Sequence, residues 1–395
     1  MNAYNAATVI RLTSRPILSA FFNHEGCLQQ IDFNKAGLHE IQEAYGALPE
    51  QIRSRIEPIL RNVFIFSHGK LSMISLIDEI KKYHNTDDRD IIFAFCSQKN
   101  RYDQAFFIYM NYPDIWEKAC YFVSVDMLPK RFWTRINGLP RRDPKTDAAA
   151  LQDFGRLVSD YYMKTQIRGK QYYAEYSCRT ENDHYFFLFL SDYDNNYEVW
   201  EEGKNKMISR NESRPFSMVL AYNSTYGTID IFAHGGKSIF DALNESFCKA
   251  ILNEEVTSQR TFRSAFQISK LVYRENKLKP IPEIGIMGAT LTAVEFSTWD
   301  GNKRHSQRLR IDKNEQDNDD MFNAIESCFP KGIDNATRVP SLQIVLDLMI
   351  NGIMRELPID LTPNTCTLRS NSEENRICGE EFLRRSNIDE QPNLI

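Results

Sequence analysis

The spacing of hydrophobic positions changes part-way along the chain. Up to about residue 165 they recur at intervals of three and four, which places them on one side of an α-helix. Ile52, Ile56, Ile59 and Val63 follow this spacing after Pro49, a residue suited to a first helical turn; Pro58 should bend that helix and Gly69 should end it. Further helices are predicted near 71–83, 101–112, 114–127 and 147–163, the last with Leu151, Phe154, Leu157, Val158 and Tyr161 along one side. Within this region "DIIFAF" (90–95) reads as a short strand.

From about residue 169 the period falls to two. "KQYYAEYSCR", "HYFFLFLSDY", "FSMVLAYN" and "GTIDIFA", separated by polar turn residues, are predicted as antiparallel strands. A helix at 238–252 then covers the sheet with Phe240, Leu243, Phe247 and Ile251. At the joint, Gly235 and Gly236 permit the reversal, Ser238 is placed to act as N-cap and Asp241 to stand at the third helical position. A phosphate-binding loop would need glycine at position 231, where Ile231 stands, and an α/β-hydrolase elbow would need a G-x-S-x-G that the chain lacks. The joint therefore reads as a turn.

Two hairpins are predicted further on, at 289–311 around Asp300-Gly301 and at 342–361 around Asn351-Gly352, with helices following at 318–328 and 372–386. Leu342, Ile344, Leu346, Leu348 and Ile350 alternate, so Asp347 faces the other way. The periods together predict an α+β fold in three parts. These are a helical N-terminal domain (1–165), an antiparallel sheet with its covering helix (166–255) and, after a polar linker (256–283), a C-terminal pair of hairpin-helix units (284–395) that resembles a duplication.

The 395 residues are 42% apolar and 12% aromatic, enough for packed cores. With 48 basic and 53 acidic residues the formal net charge is −5, so any contact with nucleic acid must come from local patches. The N-terminus is too polar for a signal peptide, and no apolar run approaches the ~20 residues that span a bilayer. Eight scattered cysteines without a Cys-x-x-Cys pair argue against structural zinc and for a reducing, cytoplasmic setting.

Two basic stretches are candidates for phosphate contact. In "LPKRFWTRINGLPRRDPK", Lys130, Arg131, Arg135, Arg141, Arg142 and Lys145 surround Phe132 and Trp133, combining cations with rings that stack on bases, in what reads as a surface loop. In "GNKRHSQRLRI" the strand period puts Arg304, Arg308 and Arg310 on one face and Leu309 and Ile311 on the other, with the acidic tract "EQDNDD" (315–320) placed to neutralise the stripe. A third arrangement is catalytic in type: Asp192 at the end of an apolar strand, then Glu202-Gly203-Lys204, an order in which the two acids would hold Mg²⁺ and the lysine would orient the attacking water. Glu-x-Lys also recurs at Glu79 to Lys81 and Glu275 to Lys277, as chance allows. The sequence thus points to a non-catalytic intracellular interaction subunit without a cofactor. Its partners would be proteins, with nucleic acid met through the basic patches, in an assembly of the bacterial defence or mobile-element kind. The alternative is a Mg²⁺-dependent nuclease built on Asp192, Glu202 and Lys204.

Overall fold

Helices and two antiparallel sheets make the chain α+β, as its periods imply. The structure, a computed structural model, describes residues 4–83, 89–129, 133–201, 206–255, 264–300, 303–312, 319–334, 336–350 and 352–389. Contacts divide the chain into two units, Met1–Leu128 with Asn371–Glu374, and Pro129–Ser370 with Asn375–Ile395.

The first unit is helical: α1 (Ala6–Leu12), α2 (Arg15–His24), α3 (Leu38–Gly46), α4 (Glu50–His68), α5 (Lys70–Tyr83), α6 (Arg89–Cys96), α7 (Arg101–Asn111) and α8 (Pro113–Asp126). Its core gathers the apolar stripes of these helices, with the Phe21 and Phe106 rings 4.6 Å apart and Ile56, Leu60 and Val63 of α4 fully buried. Pro49 precedes α4, Pro58 lies within it and Gly69 caps it, as expected. "DIIFAF" is not a strand but part of α6. Ile91 and Phe95, four apart, are buried while Ile92 and Phe93 face solvent, which is a helical division of the same apolar run. Asn100 starts α7 by accepting from the backbone N–H groups of Tyr102 and Asp103.

The second unit opens with β1 (Trp133–Ile136) and α9 (Ala148–Gln166), followed by β2 (Tyr172–Cys178), β3 (Asp183–Trp200), β4 (Met207–Asn223), β5 (Thr228–Phe232) and α10 (Lys237–Ala250). The strands form an antiparallel sheet in the order β1-β5-β4-β3-β2. The helix predicted at 147–163 is α9, and it belongs to this sheet and not to the N-terminal helices. Its Phe154 makes edge contacts with Phe186 of β3 and Phe247 of α10. The helical part consequently ends near residue 128, not 165. At the glycine joint, Gly235 takes φ +142° and the N-cap is Gly236, without a side-chain cap. Ser238 therefore lies inside the helix and does not cap it, a correction to the expected capping arrangement.

Residues 264–283 are packed structure and not a linker. Ala265, Phe266, Ile268, Leu271 and Val272 are buried in the core of a second sheet. That sheet comprises β6 (Ile286–Asp300), β7 (Lys303–Arg310), β8 (Arg338–Ile350) and β9 (Ile353–Leu361) in the order β7-β6-β8-β9, with α11 (Asp320–Cys328) and α12 (Glu373–Arg385) after the two hairpins. Both predicted hairpins are present, with Asp300 opposite Lys303 and Ile350 opposite Ile353. Gly352 has the positive φ (+76°) that its turn requires, while Gly301 and Asn351 lie outside the described residues. The hairpins are not two packed units: β6 pairs with β8 and joins them edge to edge. Asp347 lies opposite Gly288 in that pairing, where a Cβ would come within 2.2 Å of its carboxylate.

Candidate nucleic-acid interface

The cations singled out in the sequence have different fates. Arg135, expected on a surface loop, is buried on β1, where its guanidinium donates to both carboxylate oxygens of Asp230 (2.8 and 2.8 Å), to Glu380 (2.9 Å) and to Asp389 (3.1 Å). Arg369 donates to Asp230 and Tyr185, and Arg376 to Asp183 (2.9 Å) and Glu380 (3.1 Å). Three guanidinium groups thus meet four carboxylates, all buried within the second unit. Burial alone would raise the pKa of Asp230, but Arg135 and Arg369 hold it well below the usual carboxylate range. Asp183 is held down likewise by Arg376 and Arg369, and Glu380 by Arg376 and Arg135. Asp389 goes the other way, raised by burial despite Arg135. This cluster is an interior brace, and no phosphate reaches Arg135 in this fold.

The rest of the first basic stretch also differs from a free loop. Trp133 is buried against the Phe232 ring, 5.5 Å away, and so is withdrawn from any stacking role. Arg142 pairs with Glu254, and its carbonyl accepts from the Tyr222 hydroxyl (3.0 Å). Lys145 reaches Asn253 (3.3 Å), while the Arg141 side chain is exposed. Lys130, Arg131 and Phe132 lie outside the described residues.

Of the nuclease set, Glu202 and Lys204 also lie outside the described residues. Asp192 accepts from Arg168 (2.7 Å) and from the Tyr193 backbone N–H (2.9 Å). Burial would raise its pKa, but these two donors outweigh it and lower the value. Arg168 is itself fixed over the Phe216 ring, 4.2 Å from its centre. Asp192 is therefore tied into an ion pair at the point where β3 and β4 leave the sheet. Among the described residues no three His, Cys, Asp or Glu side chains are grouped so as to hold a metal ion. Nor is any described helix long and apolar enough to cross a membrane.

The second stripe keeps its predicted form. β7 is an edge strand, and Leu309 and Ile311 pack towards the core while Arg304, Arg308 and Arg310 are exposed. Direct cross-strand partners share a face, so the register puts Arg304 beside Trp299, Arg308 beside Glu295 and Arg310 beside Ala293. Trp299 is 55% exposed, unusually open for so large an apolar side chain. Arg304 lies 3.6 Å from Glu295, and Arg308 and Arg310 make no ion pair with any described residue. From Arg304 to Arg310 the rail runs about 20 Å at ~3.4 Å per residue. The expected neutralisation is not seen in the described part of the acidic tract: Asp319 pairs with Arg274 (3.2 Å) and Lys277. Residues 315–318 of the tract lie outside the described residues.

Beside Arg308 the same face holds a cavity of about 420 Å³ lined by Glu295, Arg308, Ser341, Asp360, Thr362 and Thr367, among others. Ser341 donates to Glu295 (2.9 Å), Gln343 to one oxygen of Asp360 (2.7 Å), and the Thr367 hydroxyl accepts from the Asp360 backbone N–H (2.9 Å). Trp299 and Glu295 were open to sequence reasoning, because a two-residue turn puts them in phase with the arginines. Ser341 and Asp360 were not, since they reach this face only through the β6–β8 and β8–β9 pairings.

No family model matches the chain. A search of curated proteins likewise finds no match.

Proposed function

We propose that the chain is a non-catalytic binding protein that holds a single strand of nucleic acid on the outer face of its second sheet. The observation that carries this reading is Trp299, exposed and directly opposite Arg304, on the face where Arg308 and Arg310 stand without ion pairs. An open indole stacks on a base whatever its identity, and a row of guanidinium groups follows the phosphates. The cations also keep the exposed β7 edge from pairing with another sheet, so they favour solubility in the absence of nucleic acid. The test is a titration of a labelled single-stranded oligonucleotide, read by its anisotropy. Three phosphate contacts on a single strand predict a salt slope near −2.1, so that raising salt from 50 to 200 mM weakens binding by roughly 18-fold. Changing Arg304, Arg308 and Arg310 together to Glu should remove both the binding and the slope in a protein that remains folded. Salt-insensitive binding, or binding unchanged in that variant, would defeat the proposal.

A protein partner is supported by a separate feature. Beyond a bulge at Ser191/Asp194, β3 and β4 pair, among the described residues, with each other alone, and they carry Trp200 (65% exposed) opposite Met207 (49% exposed) near the end of this arm. A two-stranded ribbon is marginal in water by itself and gains from being covered. Photocrosslinking from position 200 in the cell of origin should give a discrete product; a protein that cross-links to nothing there would argue against this second contact.

A further inference from the structure

The cavity beside Arg308 combines features that a bare phosphate rail does not need. Its wall offers two carboxylates, several hydroxyls and one guanidinium, with Glu295 and Arg308 on the face that carries Trp299. A ligand that satisfied all of them would present N–H donors to the acids and a negative charge to the arginine. A simple polyamine meets the first requirement but is repelled by Arg308. Inorganic phosphate meets the second but is repelled by Glu295 and Asp360. A nucleotide whose base carries an amine meets both, and a cavity of about 420 Å³ lies within the range of small-molecule sites.

We propose that this cavity receives one base of the bound strand and selects a base bearing an exocyclic amine, with an adjoining phosphate on Arg308. This assignment rests on the nucleic-acid reading above. Asp360 supplies the free acceptor: Gln343 occupies its Oδ1, and no described residue donates to its Oδ2. Glu295 already accepts from Ser341 and lies near Arg304, which fixes its carboxylate in place as a second acceptor. Cytosine, adenine and guanine carry an amino group with two N–H donors, one for each carboxylate, whereas thymine and uracil offer a single N3–H flanked by carbonyl oxygens, so that a carbonyl oxygen meets the second carboxylate. That mismatch places acceptor against acceptor and so discriminates by repulsion as well as by the lost bond. A pairing of this kind discriminates by roughly 5- to 150-fold, so a preference of about tenfold is expected in this half-open site.

The experiment compares short labelled oligo(dC) and oligo(dT), titrated against the full chain and against Asp360→Ala and Glu295→Gln, with circular dichroism confirming that each variant is folded. Wild type should prefer oligo(dC) by about tenfold. Asp360→Ala should bring the two affinities to within about twofold while leaving oligo(dT) binding no weaker, because removing an acid cannot weaken a phosphate rail. Glu295→Gln should narrow the preference less, since an amide oxygen still accepts. Equal wild-type affinities with a steep salt slope would overturn the base pocket and leave the phosphate interface standing. A preference that survives Asp360→Ala would also overturn it, as base stacking alone would then explain the difference. If neither oligonucleotide binds, the pocket and the interface fall together.

Discussion

Replacing Asp230 by Asn tests whether the buried charge cluster braces the second unit. Asp230 accepts from Arg135 at two nitrogens and from Arg369 at one, and its residue is only 4% exposed. Asn keeps the shape but removes the charge and puts a donor where an acceptor stood. Arg135 would retain Glu380 and Asp389, whereas Arg369 would keep, among the described residues, the Tyr185 hydroxyl as its other hydrogen-bond partner, with Asp183 and Glu380 still acting on its charge. The penalty is therefore that of breaking a buried ion pair by removing one partner, about 3–5 kcal/mol, a large part of the 5–15 kcal/mol that holds a typical domain together. Hydrogen exchange followed by mass spectrometry localises the effect. Peptides covering β1 and β5 should exchange roughly 160- to 5,000-fold faster, because each 1.36 kcal/mol is a factor of ten. Peptides from the first unit should be unaffected. Acceleration of less than about tenfold in β1 and β5 would refute the brace, since it corresponds to less than ~1.4 kcal/mol.

Asp389→Asn offers the opposite expectation at the same cluster: burial already raises this carboxyl's pKa, so neutralising it should cost less than about 1 kcal/mol or stabilise, measured by urea midpoint at neutral pH. The pH dependence follows from the depressed pKa values of Asp183, Asp230 and Glu380. Their contribution is fully present above the ordinary carboxylate pKa of about 4 and is lost as pH falls below it, so second-unit stability should drop on acidification, and a flat urea midpoint between pH 6 and pH 3 would contradict the cluster. At the glycine joint, Gly235→Ala should destabilise by about 1–3 kcal/mol, because its φ of +142° is strained for any side chain and the new Cβ meets Ile239 at 2.2 Å. Ser238→Ala should change stability by less than about 0.5 kcal/mol, since Gly236 holds the cap position; thermal melts of the two variants would separate these cases.

Local pattern by itself determined the elements. Alternation in 289–311 and 342–361 predicts both hairpins and the outward face of Arg304, Arg308 and Arg310, because a strand's period of two assigns each side chain to a face without reference to the rest of the chain. The stripe on α9 was equally legible as a helix. Its partner was not, because periodicity says which face is buried and not what buries it, and only the tertiary structure seats Phe154 against Phe186 and Phe247. The short run at 90–95 fits either period, and packing around Ile91 and Phe95 decides for helix. Residues 264–283 have the prolines and polarity of a linker, yet enough apolar side chains to be drawn into the second core. Arg135 shows the limit most plainly. Its neighbours in sequence are those of a basic loop, but its counter-ion Glu380 stands 245 positions away, and only folding could bring that carboxylate within 2.9 Å to offset the cost of burying a charge.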